Sequence, residues 1–155
     1  MCGLAGMVVA PGSEHAERLG GLVDAMTGPL VNRGPDGSGR WVDAAAGVAL
    51  AHTRLAIIEL SPAGDQPMVS ADGRWVVCAN AEVYNHRELG RRLAAEGTQF
   101  RGHSDIEVLV EAVARWGVET ALERIDGMFG LALWDRRERQ LTLVRDRMGE
   151  KPLCW

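Results

Sequence analysis

Met1 is followed directly by Cys2 and then by a glycine, in "MCGLAGMVVAPG". Removal of the initiator leaves a thiol and a free α-amine on the same carbon. A thiol attacks well only as thiolate and needs a neighbouring base that titrates near working pH. An α-amine, with an ordinary pKa of about 7.7–8.0, meets that need better than a lysine does. An exposed Cys2 therefore carries its own base. Attack on an amide builds a tetrahedral oxyanion, which needs preorganised donors from an amide side chain or backbone N–H groups. Read alone, Cys2 also fits a small residue buried near a chain end.

Residues of this kind act only where folded elements hold them. "LAGMVVA" is apolar and β-branched and reads as a buried strand that stops at "APG", which places Cys2 at a strand end. "SEHAERLGGLVDAMTGP" has helical spacing, with Ser13 as N-cap and Gly28-Pro29 as terminator. "NRGPDGSGR" is dense in turn residues and reads as a loop. Strands are expected at "GVALAH", "LAIIEL" and "GRWVVCAN", with a break at "SPAGDQP".

Two helices follow: "YNHRELGRRLAAEG", with Asn85 as cap and Glu88 three residues on, and "SDIEVLVEAVARWG", where Ser104 and Glu107 form a capping-box pattern. Ile106, Leu109, Val110 and Val113 make its buried stripe, and Asp105 lies in its first turn. "DGMFGLALWD" suits a strand covered on both faces, and "RRERQ" turns it into "LTLVRD". Strands, helices, then strands argue for an α+β domain with antiparallel pairing rather than repeated βαβ units. There is no internal repeat or linker.

The 155 residues, 46% apolar and 25% charged, suit one soluble domain. A net charge of −4 without a basic cluster argues against nucleic acid or a membrane surface as partner. Cys2, Cys78 and Cys154 are few, odd in number and widely spaced, which fits a reducing compartment and offers neither a disulfide framework nor a metal site. No signal peptide or membrane span is expected, so the cytoplasm is the default location. The chain stops at "GEKPLCW" within what reads as a new strand, so truncation at the C-terminus is expected.

"MCG", "NRGPDGSGR", "AHTRLAIIEL", "CANAEVYN", "RGHSDIEV", "GMFGLALWD" and "VRDRMGEKPL" occur in this order. Together they resemble the amino-terminal glutaminase domain of glutamine-hydrolysing asparagine synthetases, a class II glutamine amidotransferase of the N-terminal-nucleophile hydrolase superfamily. The resemblance spans residues 1–155. It implies a four-layer αββα sandwich of two antiparallel sheets between helices, and hydrolysis of L-glutamine to glutamate and ammonia through a Cys2 thioester.

Asn80 and Ala81 then take the place of the family's Asn-Gly oxyanion pair. Ala81 departs from that pattern: if the position needs φ > 0 or presses on substrate, a Cβ there costs on the order of 1 kcal/mol and reduces or shifts activity. Arg54 matches the arginine that grips the substrate carboxylate, a task suited to a bidentate guanidinium. Glu82 and Asp105 match the acids that bind its α-ammonium, and the backbone of Leu55, Ala56, Ile57 and Ile58 lines the same pocket. Arg33, Gly34, Pro35, Asp36 and Gly37 correspond to a flap loop, while Asp146 and Lys151 read as structural or domain-contacting.

Each of these residues also has an ordinary surface or helix-end reading. His52, His86 and His103 lie near the motifs, and a histidine paired with Cys2 would mean a papain-like mechanism, which leaves a cysteine at position two unexplained. The implied partners are L-glutamine and a synthetase domain, with homodimers in the full-length enzyme. No cofactor is expected in this domain. ATP and magnesium belong to the missing synthetase part, which uses the ammonia to amidate aspartate. The alternatives are an amidotransferase domain serving a sugar phosphate, phosphoribosyl or specialised acceptor, and a noncatalytic glutamine-binding or scaffold module.

Overall fold

Two antiparallel sheets stand face to face with helices on their outer sides, in a computed structural model that describes residues 1–155. The first sheet runs in the order β1 (Gly3–Val8), β3 (Val48–Arg54), β2 (Gly37–Asp43). The second runs β4 (Met68–Val69), β5 (Trp75–Val83), β6 (Gly127–Asp135), β7 (Gln140–Arg145). The helices are α1 (Leu19–Thr27), α2 (His86–Ala95), α3 (Asp105–Trp116) and α4 (Val118–Arg124). None is long and apolar enough to cross a membrane.

The layering follows from alternation along the strands. On β3, Val48 and Leu50 point inward and pack with Val76, Cys78, Ala132 and Trp134 of the second sheet. Ala49 and Ala51 point outward and, being small, let Leu19 and Val23 of α1 pack down with Ala5. The other face of the second sheet, with Val77, Ala79, Leu131 and Leu133, meets Leu109, Val110 and Val113 of α3. Each fully buried leucine contributes roughly 1.5–3 kcal/mol. The result is the expected order of helix, sheet, sheet, helix.

His52 continues the inward row of β3 and joins the two sheets. Its Nε2 lies 3.1 Å from the Ala79 carbonyl and so must carry the hydrogen, while Nδ1 is buried without a partner. Burial lowers its pKa from 6.5 to about 4, with the Ala79 contact opposing the shift. Because the unfolded chain binds the proton more readily, the stability due to neutral His52 is complete above pH 6.5 and is lost as pH falls toward 4. This difference corresponds to roughly 3 kcal/mol. Denaturant titrations between pH 7 and 4 are expected to show this loss in the wild type and to show it much reduced in His52→Gln, which keeps a donor for Ala79 but does not titrate.

The local elements differ from the expected ones in several places. Ser13 is not an N-cap: a 3-10 turn over Ala16–Arg18 precedes α1, and the Ser13 hydroxyl is buried without a partner. Gly28-Pro29 does not stop the chain from coiling, because a 3-10 segment, Gly28–Arg33, follows α1 directly. The turn-rich "NRGPDGSGR" enters β2 at Gly37, since pairing with β3 from Gly37↔Arg54 onward supplies its backbone partners.

"LAIIEL" is not a strand. Beyond Arg54, β1 and β2 offer no further pairing, and the freed backbone turns over the second sheet. The short strand β4 and the helix α4 were not anticipated.

Two caps also differ. Asn85 precedes α2, but its amide reaches the Arg124 carbonyl at 2.8 Å and the Asp126 N–H at 3.1 Å instead of capping. Ser104 does cap α3 through the Ile106 N–H at 3.1 Å. Glu107 completes no box with it, because its buried carboxylate takes the N–H groups of Arg101 and Gly102 at 2.7 and 3.0 Å.

Candidate active site

Four chain segments converge at one end of the sheets: the start of β1, the residues after β3, the end of β5 and the start of α3. They enclose a cleft of about 220 Å³ lined by Cys2, Arg54, Leu55, Ala56, Ile57, Ile58, Asn80, Ala81, Glu82 and Asp105, with Met1, Glu59, Gly64, Gln66, Ala79, Ser104 and Ile106. Residues separated by up to a hundred positions thus share one small space.

The Cys2 thiol rests against the backbone that leaves β3. The Leu55 N–H donates to Sγ at 3.4 Å and the Leu55 carbonyl lies 3.8 Å from it. Arg33 donates from Nε to the Cys2 carbonyl at 3.2 Å. No histidine nitrogen bonds to the thiol. Residues 33–37 lie beside the cleft rather than in its lining. They are tied to the β3 exit by Asp36 N–H to the Arg54 carbonyl and Ala56 N–H to the Asp36 carboxylate, both 2.9 Å.

On β5 the alternation places Asn80 in line with inward-facing Val76 and Cys78. It is 7% exposed, lines the cleft, and its amide has no hydrogen-bond partner in the protein. The backbone alternates too. The Tyr84 N–H bonds the Asp126 carbonyl across to β6, whereas the Ala79 and Val83 N–H groups point away from β6, to the Gln66 side chain at 2.7 Å and to Asp105 Oδ2 at 3.0 Å. Ala81 falls between the last two, so its N–H points the same way, into the cleft with no strand opposite. An amide side chain and a backbone N–H are therefore both open toward the thiol's cleft, the donor pair an oxyanion requires.

The cleft lining carries charges of both signs. Arg54 keeps a 12% exposed side chain and pairs through Nη1 with Asp65 at 2.7 Å and through Nη2 with the Glu59 carbonyl. Three of its five N–H groups stay free for a ligand. Gly64 sits against the guanidinium, where any Cβ would collide with Nη2. Asp105 is buried, and burial pushes its carboxyl up while the Val83 N–H and His86 pull it back. A ligand ammonium would relieve that penalty. Glu82 flanks it. No group of three His, Cys, Asp or Glu side chains converges as metal ligands.

Residues 1–155 match a family described as "Glutamine amidotransferase domain". The chain belongs to that family. The amidotransferase domain is 38% identical over 159 residues to "Asparagine synthetase [glutamine-hydrolyzing] 2" of Bacillus subtilis, covering all of this chain and 20% of that protein. It is 36% identical over 149 residues to "Asparagine synthetase [glutamine-hydrolyzing] 1" of Arabidopsis thaliana, covering 96% of this chain and 24% of that one. It is also 34% identical over 162 residues to "Amidase chry2" of Gibberella zeae, covering all of this chain and 24% of that protein.

This domain thus spans about a fifth to a quarter of the length of these relatives. Among solved structures it resembles the glutamine phosphoribosylpyrophosphate amidotransferase of B. subtilis. The TM-score is 0.51 at 20% identity, over 63% of this chain and 23% of that one, a likeness of fold.

Two features of the amidotransferase domain were not visible as site residues in its sequence. Gln66, in a segment that reads only as a break, makes paired bonds to Ala79 N–H and carbonyl at 2.7 and 3.2 Å, fixing β5 two residues before Ala81. Glu59, in the misread strand, accepts from Ser61 and from the His103 N–H at 2.8 Å, and these contacts hold its carboxyl at about 2. It fastens the Arg54 side of the cleft to the Asp105 side.

Ala81 needs no glycine geometry. Arg139 is the one non-glycine residue with positive φ, and the Ala81 side chain packs against the helix-side core. The conformational reason to expect impaired activity from this alanine is absent. Ala81→Gly is expected to leave glutamine turnover within about twofold while lowering stability by roughly 0.5–1 kcal/mol, through a looser strand and lost packing. Paired glutamate-release and urea-unfolding measurements check this.

Proposed function

We propose that the chain is a glutaminase: Cys2, freed of Met1, hydrolyses L-glutamine to glutamate and ammonia. The observation that carries this reading is the cleft that the Cys2 thiol shares with the cationic Arg54 and the acidic Asp105. Arg54 binds the α-carboxylate by charge-assisted hydrogen bonds, and Asp105 with Glu82 takes the α-ammonium. The side-chain amide is thereby presented to the sulfur.

The Cys2 α-amine accepts the thiol proton as the carbon–sulfur bond forms, and the Asn80 amide and Ala81 N–H stabilise the oxyanion. The carbon–nitrogen bond then breaks and the amine returns its proton to the leaving ammonia. Water, deprotonated by the same amine, attacks the thioester, and glutamate departs as the thiol is restored. The loop at 33–37 closes over bound glutamine.

The ammonia serves a synthetase part of the protein that amidates aspartate to asparagine with ATP and magnesium, as the names of the relatives support. A free thiol nucleophile suits a reducing setting such as the cytoplasm, and Cys2, Cys78 and Cys154 are all unpaired. The test uses protein whose Met1 removal is verified by intact mass. Glutamate release, and alkylation of Cys2 by a glutamine analogue bearing an electrophile in place of the amide, are expected. Absence of both sinks the reading.

A further inference from the structure

Lys151 is the single lysine in a chain with 17 lysines and arginines. It is also 3% exposed, a place where an ammonium is rarely found without an acidic partner. None of the chain's ion pairs includes it. Its Nζ instead donates to the Met1 thioether at 3.2 Å, a weak acceptor.

The placement is rigid. The Lys151 N–H bonds Asp146 Oδ2 at 2.9 Å and its carbonyl accepts from Arg145 Nε at 3.0 Å. Its Cβ lies over β6 at Gly130, the residue paired with Asn80. The turn after β7 thus aims one compact positive charge at the chain terminus beside the oxyanion donors.

Excision of Met1 removes the thioether and leaves the ammonium facing the new terminus. We infer that Lys151 is a positioning residue for the nucleophile: its buried ammonium stands beside the freed Cys2 α-amine, disfavours a second positive charge there, and keeps that amine in the unprotonated form that accepts the thiol proton. This rests on the glutaminase reading.

No other charged group around it pairs with the ammonium. The Asp146 carboxylate, ionised, is held at the Lys151 backbone by the N–H groups of Phe129, Glu150 and Lys151, and Glu59, Glu82 and Asp105 line the cleft without bonding to Nζ. Arg145 lies at the Lys151 carbonyl and Arg33 at that of Cys2, both adding positive charge. The Cys78 thiol is buried and stays protonated.

The test compares processed wild type with Lys151→Met and Lys151→Arg, following the pH dependence of both kcat/KM for glutamine and Cys2 alkylation by iodoacetamide. In Lys151→Met the ascending limb of both profiles is expected to move up by about one pH unit, a tenfold loss at a fixed pH on that limb. Lys151→Arg is expected to keep the wild-type limb. An alkylation limb in Lys151→Met superimposable on wild type overturns the inference. Alkylation decides it whether or not glutamine is turned over, whereas failure of processed wild type to turn glutamine over counts against the glutaminase reading alone.

Should Lys151→Met not fold, the wild type itself gives the answer, because residues 2–155 hold just two amines. Acetylation by acetic anhydride across pH, located by mass spectrometry, is expected to show the Cys2 amine titrating at lower pH in the native than in the urea-unfolded chain. Titration at the same or a higher pH overturns the inference.

Discussion

Cys2→Ala in the processed chain is expected to lower kcat for glutamine hydrolysis by about 10⁴-fold or more, with little effect on glutamine binding. The groups that hold the amino-acid end of glutamine, Arg54 and Asp105, come from the end of β3 and the start of α3 and do not depend on the sulfur. Sγ hydrogen-bonds only to the Leu55 backbone, at 3.4 and 3.8 Å. Its loss should therefore change stability by less than about 1 kcal/mol.

No other thiol can stand in. Cys78 is fully buried with its Sγ against the Ala51 carbonyl at 3.3 Å, and burial pushes its pKa far up. Cys154 is exposed and lies in an apolar groove between β1 and β7, away from the cleft. Glutamate release at steady state, glutamine binding by calorimetry and urea unfolding measure the three quantities. Wild-type turnover in Cys2→Ala would exclude the thioester route.

The split between what the sequence revealed and what it hid has physical causes. Strands of the second sheet were legible because β5 and β6 are apolar on both faces, and α3 because Ser104 and the apolar spacing mark its start and its buried side. What failed was local grammar overridden by pairing. "GSGR" has turn chemistry, yet it lies opposite β3 and becomes strand. "LAIIEL" has strand chemistry, yet it has no partner and becomes cleft wall.

The cleft residues were named through resemblance, not pattern, since nothing in spacing brings residues 2, 54, 80 and 105 together. Gln66 and Glu59 escaped, and Lys151 read only as structural or domain-contacting, for a related reason. Each acts through a backbone or terminal group whose location exists only in the fold. Ala81 shows the limit in the other direction, because its departure from the family pair is judged by φ and by where its Cβ packs, neither of which the sequence carries.

Asn80→Ala is expected to lower kcat by roughly 10²–10³-fold while KM for glutamine changes by only about two- to threefold. The amide meets the oxygen of the reacting group, where charge grows only as the sulfur adds, so its contribution is concentrated in the transition state. Ala81 N–H, held in place by Gln66 at Ala79 and by Asp105 at Val83, remains as the second donor and sets the residual rate.

Stability should hardly change. The Asn80 side chain faces the cleft and no hydrogen bond within the protein depends on it, so Asn80→Ala should stay within about 0.5 kcal/mol of wild type. Asn80→Asp places a negative charge where the oxyanion forms and should be slower still than Asn80→Ala. A variant that is as stable as wild type, binds glutamine nearly as well and turns it over hundreds of times more slowly identifies a donor to the transition state. Equal losses in binding and stability would instead make Asn80 a residue that merely supports β5.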